Sequence, residues 1–111
     1  MGPVQLELIQ VKSPGPNVYR DSIPAGMDGY HHYAYFTDDL GDEFARFETM
    51  GVEVASEGTF GPLRFAYFDT RDAVGCMTEA LEHDAYLKGV FKIVSDASVD
   101  WDGSDPVRLI V

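Results

Sequence analysis

Residues 30–51 carry a strand, a helix start, a helix and a helix stop in unbroken succession, and this stretch limits the fold more than any other. Residues 30–36 are rich in aromatic side chains that suit a pleated, half-buried surface. Thr37-Asp38-Asp39 follows, and side-chain oxygens of this kind accept the unpaired amides at a helix start. Leu40, Phe44, Phe47 and Met50 then recur at spacings of four, three and three, the period of an amphipathic helix. Gly51 stands where a left-handed terminator is expected. The stretch therefore predicts a strand that feeds directly into a helix running to about residue 50.

The flanking segments extend this unit. Residues 52–60 and 63–70 read as two strands joined at Gly61-Pro62, and residues 76–82 as a last strand after the connection 71–75. Residues 3–12 alternate, with Val4, Leu6 and Leu8 on one face and Gln5, Glu7 and Ile9 on the other, which predicts a leading strand buried on one side. Ser13-Pro14-Gly15-Pro16-Asn17 interrupts regular structure, and residues 18–23 predict a short helical turn. From Asp84 onward Tyr86, Val90, Ile93, Val94 and Ala97 recur at helical spacing, so a helix is expected over 84–99, ahead of a turn-rich tail at 100–111. The order gives an α+β fold in one domain, residues 1–111. Within it, residues 30–82 form a βαβββ block that curls into half of a small open barrel, whose concave face is the expected site.

Charge narrows the partners. Eight Lys and Arg stand against 19 Asp and Glu, a formal charge of −11. The basic residues are scattered singly, which excludes a nucleic-acid backbone as partner, because such binding needs clustered cations that displace counterions. Neither a run of about 18 apolar residues nor a basic-led signal segment is present, so a non-membrane, cytoplasmic protein is expected. Cys76 is the only cysteine, which excludes an intrachain disulfide and a cysteine-based zinc site.

The run Tyr30-His31-His32-Tyr33-Ala34-Tyr35-Phe36-Thr37-Asp38-Asp39-Leu40, with Arg64-Phe65-Ala66-Tyr67-Phe68-Asp69-Thr70 and Met77-Thr78-Glu79-Ala80-Leu81-Glu82, resembles the vicinal oxygen chelate superfamily. Glyoxalase I, methylmalonyl-CoA epimerase, extradiol dioxygenases and the bleomycin-resistance proteins belong to that superfamily. The likeness spans about residues 3–82 and is more specific for fold than for reaction. Members usually pair two βαβββ blocks, each giving one metal ligand from its first strand and one from its last. This chain holds one complete block, and its leading strand looks like the last strand of a preceding block.

The resemblance implies that His32 is a first-strand ligand, Glu79 the last-strand carboxylate of the same block, and Glu7 the last-strand carboxylate of the missing one. The fourth ligand, a first-strand histidine, has no counterpart. One imidazole and two carboxylates suit a divalent Mn, Fe, Co, Ni or Zn ion. Glu79 and Glu7 are also the candidate general bases, since proton abstraction beside a carbonyl requires a positioned carboxylate. Phe36, Arg64, Phe68 and Met77 are the expected ligand-contacting residues. Strand alternation places His32, Ala34 and Phe36 on one face and Met77, Glu79 and Leu81 on one face, so His32 and Glu79 can look into one concavity; it sends His31 to the opposite side. Tyr33, Tyr35, Phe65 and Tyr67 are expected as core beneath the helices.

Plainer roles stay open beside these: a strand histidine also serves as a hydrogen-bonded wall residue, and both glutamates as solvated carboxylates. One block leaves open sheet edges, so a homodimer is expected to complete the fold. The functional expectation is a small-molecule-binding protein, in its sharper form a divalent-metal-dependent isomerase or lyase acting on a small oxygenated metabolite. The alternatives are a metal-free binding module like the bleomycin-resistance proteins and an inactive truncated member.

Overall fold

The computed structural model describes residues 3–110. They fall into two compact units, Gln10–His83 and the described residues of Met1–Ile9 with Asp84–Val111. The first unit contains, in order, α1 (Val18–Ser22), β1 (His32–Thr37), α2 (Leu40–Thr49), β2 (Val54–Phe60), β3 (Leu63–Phe68), α3 (Arg71–Val74) and β4 (Met77–Glu82); α4 (Ala85–Ser98) belongs to the second. The fold is α+β, with a four-stranded mixed sheet and four helices among the described residues. None of those helices is long and apolar enough to cross a membrane.

The ends of α2 follow the sequence closely. The Asp39 carboxylate accepts from the Gly41 and Asp42 amides at 2.7 and 3.2 Å, satisfying two donors that have no partner inside the helix. At the other end Gly51 takes φ 71°, a left-handed turn that a side chain would oppose, and the Val52 amide returns to the Phe47 carbonyl at 2.9 Å.

The sheet order is β1-β4-β3-β2. β2 and β3 form an antiparallel hairpin, β3 and β4 are antiparallel, and β4 returns to lie parallel to β1. Thr70 locks this return: its Oγ1 donates to the Cys76 carbonyl at 2.7 Å, and the same oxygen lies 2.7 Å from the Thr78 hydroxyl. Cys76 itself is half-buried rather than a core residue.

One face of the sheet packs on α2. Leu40, Phe47, Ala66, Phe68 and Ala80 form the buried cluster, with Tyr35, Phe44 and Val52 against it. Phe47 stacks on Phe68 at 4.0 Å between ring centroids, and Phe44 meets the same ring edge-on at 5.7 Å. Small residues at 66 and 80 let the helix approach the sheet closely enough for these rings to interleave. Beside the core, the Tyr35 hydroxyl and the Thr37 hydroxyl donate to the Glu43 carboxylate at 2.7 and 3.0 Å, and Arg46 Nε donates to it at 3.0 Å. Burial, reinforced by the Glu43 charge, pushes the Tyr35 phenol up to about 12. Burial works against the Glu43 charge, but hydrogen bonds from Arg46, Tyr35 and Thr37 outweigh it and hold the carboxyl below its usual range.

Several expectations need correction. Residues 3–12 form no strand: their backbone is irregular, and Val4, Leu6 and Leu8 are exposed. Alternation names the face a strand would bury but supplies no partner for its backbone groups. Phe68, expected to contact ligand, is fully buried against α2. Arg64 alternates with Ala66 and Phe68 on the helix-bearing face, is exposed, and lies 3.5 Å from Glu82. Of the four aromatic residues expected under the helices only Tyr35 packs there; Tyr33 is half-exposed, and Phe65 and Tyr67 belong to the opposite face.

In the second unit Asp84 caps α4, accepting from the Leu87 amide at 2.8 Å, and Lys92 pairs with Asp96 one turn on at 2.6 Å. In the first unit His83 stacks on Phe36 and lies 3.0 Å from Asp38.

Two stability measurements follow. Phe68→Ala opens a cavity under α2 and is expected to cost about 3–5 kcal/mol in chemical denaturation, whereas Tyr30→Ala, at a side chain 91% exposed, should stay within about 0.5 kcal/mol. Comparable losses from both would contradict this placement of the core. Glu43 titrates lower in the folded chain than its ordinary 4.5, so its contribution is fully present above that value and disappears as pH falls through the depressed folded one. The stability gap between wild type and Glu43→Gln should therefore shrink on acidification below that range, and parallel pH curves would refute the assignment.

Candidate functional site

The parallel pairing of β1 with β4 puts the first and last strands of the block side by side, with Ala34 opposite Glu79 and His32 opposite Met77. His32 and Glu79 are thus diagonal neighbours on the face that α2 leaves uncovered. Their side chains meet, His32 Nε2 lying 3.2 Å from Glu79 Oε2, and each side chain is about nine-tenths buried. The antiparallel partner of Glu79 on β3 is Tyr67, whose ring lies edge-on to His32 at 5.1 Å. Three strands contribute one residue each to this cluster.

His31 joins it, against the alternation rule. Strand geometry begins at His32, so the residue before it is free of the two-residue period, although its carbonyl still accepts from the Met77 amide at 2.9 Å. The His31 ring is buried, with Nδ1 2.9 Å from His32 Nδ1 and Nε2 3.0 Å from the Val18 carbonyl. Burial pushes its pKa below the ordinary 6.5, and neighbouring His32 acts in the same direction; the Val18 carbonyl and Glu79 oppose both without reversing them.

α1 holds this end of the cluster. Asn17 Oδ1 accepts from the Tyr19 and Arg20 amides, each at 3.1 Å, and starts the short helix. Tyr19 then packs on the His31 ring at 4.7 Å, and its hydroxyl lies 3.3 Å from that of Tyr67. Arg71 ties α1 down: it donates to the Asp21 carbonyl at 2.9 Å and pairs with Asp69 at 2.6 Å.

The expected site residues are therefore divided. His32 and Glu79 are brought together, and Met77 and Phe36 alternate with them on the same strands, Met77 buried and Phe36 against His83. Phe68 and Arg64 are on the other face. Glu7 lies in the second unit, in an irregular and exposed segment. Among the described residues of Gln10–His83, no three His, Cys, Asp or Glu side chains gather as a metal-ligating group, and His32 and Glu79 stand together as a pair. Two shallow surface concavities lie elsewhere, one beside Gly58 and Arg64 and one beside Phe44 and Val52.

His31, Tyr19 and Tyr67 were not expected here. The adjacent histidines were visible as a pair, but the Tyr19 contact spans 48 residues of sequence and leaves no periodic trace. No family model matches the chain, and no curated protein matches it.

Proposed function

We propose that this chain is a one-block protein of the vicinal oxygen chelate type that binds a small oxygenated metabolite at a divalent ion and acts on it as an isomerase or lyase. The observation that carries the reading is the 3.2 Å approach of His32 Nε2 to Glu79 Oε2 across the β1–β4 pair. The superfamily takes one ligand from the first strand and one from the last, and the two residues occupy those strands. The βαβββ order and the strand sequence β1-β4-β3-β2 are consistent with that type of block.

The donor set fits a borderline divalent ion of the Mn, Fe, Co, Ni or Zn series: one imidazole nitrogen and one carboxylate oxygen, with the second nitrogen of His32 hydrogen-bonded to His31. Two donors leave the ion half-coordinated. A second copy of the chain related by a twofold axis supplies the same pair again, giving two histidines and two glutamates, and β1 and β2 are the open edges that such a pairing covers. The ion would polarise a carbonyl or enolate oxygen. Glu79 then has two roles open to it, holding the ion through one carboxylate oxygen or taking the proton beside the substrate carbonyl. The Tyr67 ring, edge-on to His32, shields that imidazole from water.

A metal-free binding module is the second reading. What favours it is the same distance, because an imidazolium and a carboxylate at 3.2 Å satisfy one another without an ion.

Zinc titration against a fluorescent chelator, combined with sedimentation, separates the two. The expected result is a dimer that binds one ion per two chains, with binding lost in His32→Ala and Glu79→Ala. A wild-type protein that takes up no divalent ion at saturation would remove the enzyme reading and leave the binding module.

A further inference from the structure

His31 sits behind the proposed ligand rather than beside the ion, and the direction of its hydrogen bonds gives it a role. We infer that His31 is a positioning residue: by accepting the Nδ1 hydrogen of His32, it holds that ring in the tautomer whose Nε2 lone pair faces the Glu79 carboxylate. The inference rests on the reading of His32 and Glu79 as ligands of an ion.

The Val18 carbonyl can only accept, so the 3.0 Å contact requires a hydrogen on His31 Nε2. A neutral His31 then has a bare Nδ1. That atom lies 2.9 Å from His32 Nδ1, so the hydrogen between the two rings belongs to His32. A neutral His32 has no second hydrogen, and its Nε2 presents a lone pair 3.2 Å from Glu79 Oε2, itself an acceptor. Two acceptors at this distance repel unless a proton or a metal ion joins them, and with both imidazoles neutral the arrangement is that of two donor atoms converging on an ion.

Without His31, the simplest neutral state is the reverse: His32 Nε2–H donates to Glu79, and the lone pair needed for an ion is occupied by a proton. His31 prevents that self-satisfied state. It is suited to the task because it cannot swing away, being buried with Tyr19 at 4.7 Å and Tyr67 at 5.6 Å from its ring. α1, which supplies both Tyr19 and the Val18 carbonyl, thereby reaches the site through two imidazoles.

Nitrogen-15 NMR of the full chain tests this directly, since long-range proton couplings report which ring nitrogen carries hydrogen. The measurement is made without metal at about pH 9, well above the ordinary imidazole range. The expected result is hydrogen on Nδ1 of His32 and on Nε2 of His31. Hydrogen on Nε2 of His32 would overturn the inference, and this measurement needs no variant. In His31→Phe, His32 should change to the Nε2–H tautomer and zinc affinity should fall about 10–100-fold. His31→Asn, which keeps an acceptor near the Nδ1 position, should restore both; an affinity loss with His32 still protonated on Nδ1 would mark a merely structural role and overturn the inference. Zinc binding to wild type with the opposite His32 tautomer defeats the role of His31 and spares the ion reading. The expected tautomers without zinc binding defeat the ion reading and leave the control of His32 by His31 in place.

Discussion

The parallel ladder between β1 and β4 is the constraint on which the rest depends. Strands that are first and last in the block become neighbours through it, and its register sets Ala34 opposite Glu79. A slip of one residue would send His32 or Glu79 to the α2 face, where Phe68 and Ala80 leave no room for a polar group. The hairpin of β2 and β3, the lock at Thr70 and the left-handed Gly75 all serve to return the chain to that edge in the correct register.

The two faces of the sheet then divide the work by chemistry. Below, stacked phenylalanines and two alanines give a dry interface with α2, and the polar groups at its margin are gathered by Glu43. Above, His31, His32, Glu79, Tyr67 and Tyr19 form a buried polar and aromatic cluster whose hydrogen bonds run from the Val18 carbonyl to the Glu79 carboxylate. Buried polar groups are costly unless they are paired, and a chain that ends in acceptors on both sides needs a cation to complete it. The fold meets that need with a proton or with an ion.

Local signals in the sequence were enough for the scaffold. The Asp39 cap, the spacing from Leu40 to Phe47 and the turn at Gly51 each act within a few residues, so α2 and the strands around it were legible. The pairing of His32 with Glu79 came from alternation on two strands together with a family resemblance, and the geometry brings the two together. What remained hidden depends on which face meets which element. Alternation put Phe68 and Arg64 opposite Tyr67 without saying which face α2 covers, and it gave no warning that residues 3–12 would be irregular. It placed His31 on the wrong side because the strand had not yet begun, and nothing local joins Tyr19 to Tyr67 across the sheet.

The central claim is that His32 and Glu79 are presented as a pair of donors for one ion. Anomalous diffraction at the zinc edge from crystals grown with zinc tests it most directly. The account predicts a peak at about 2.0–2.2 Å from His32 Nε2 and from a Glu79 carboxylate oxygen. Crystals in which those two side chains remain bonded to each other, with zinc absent or held elsewhere, would contradict it.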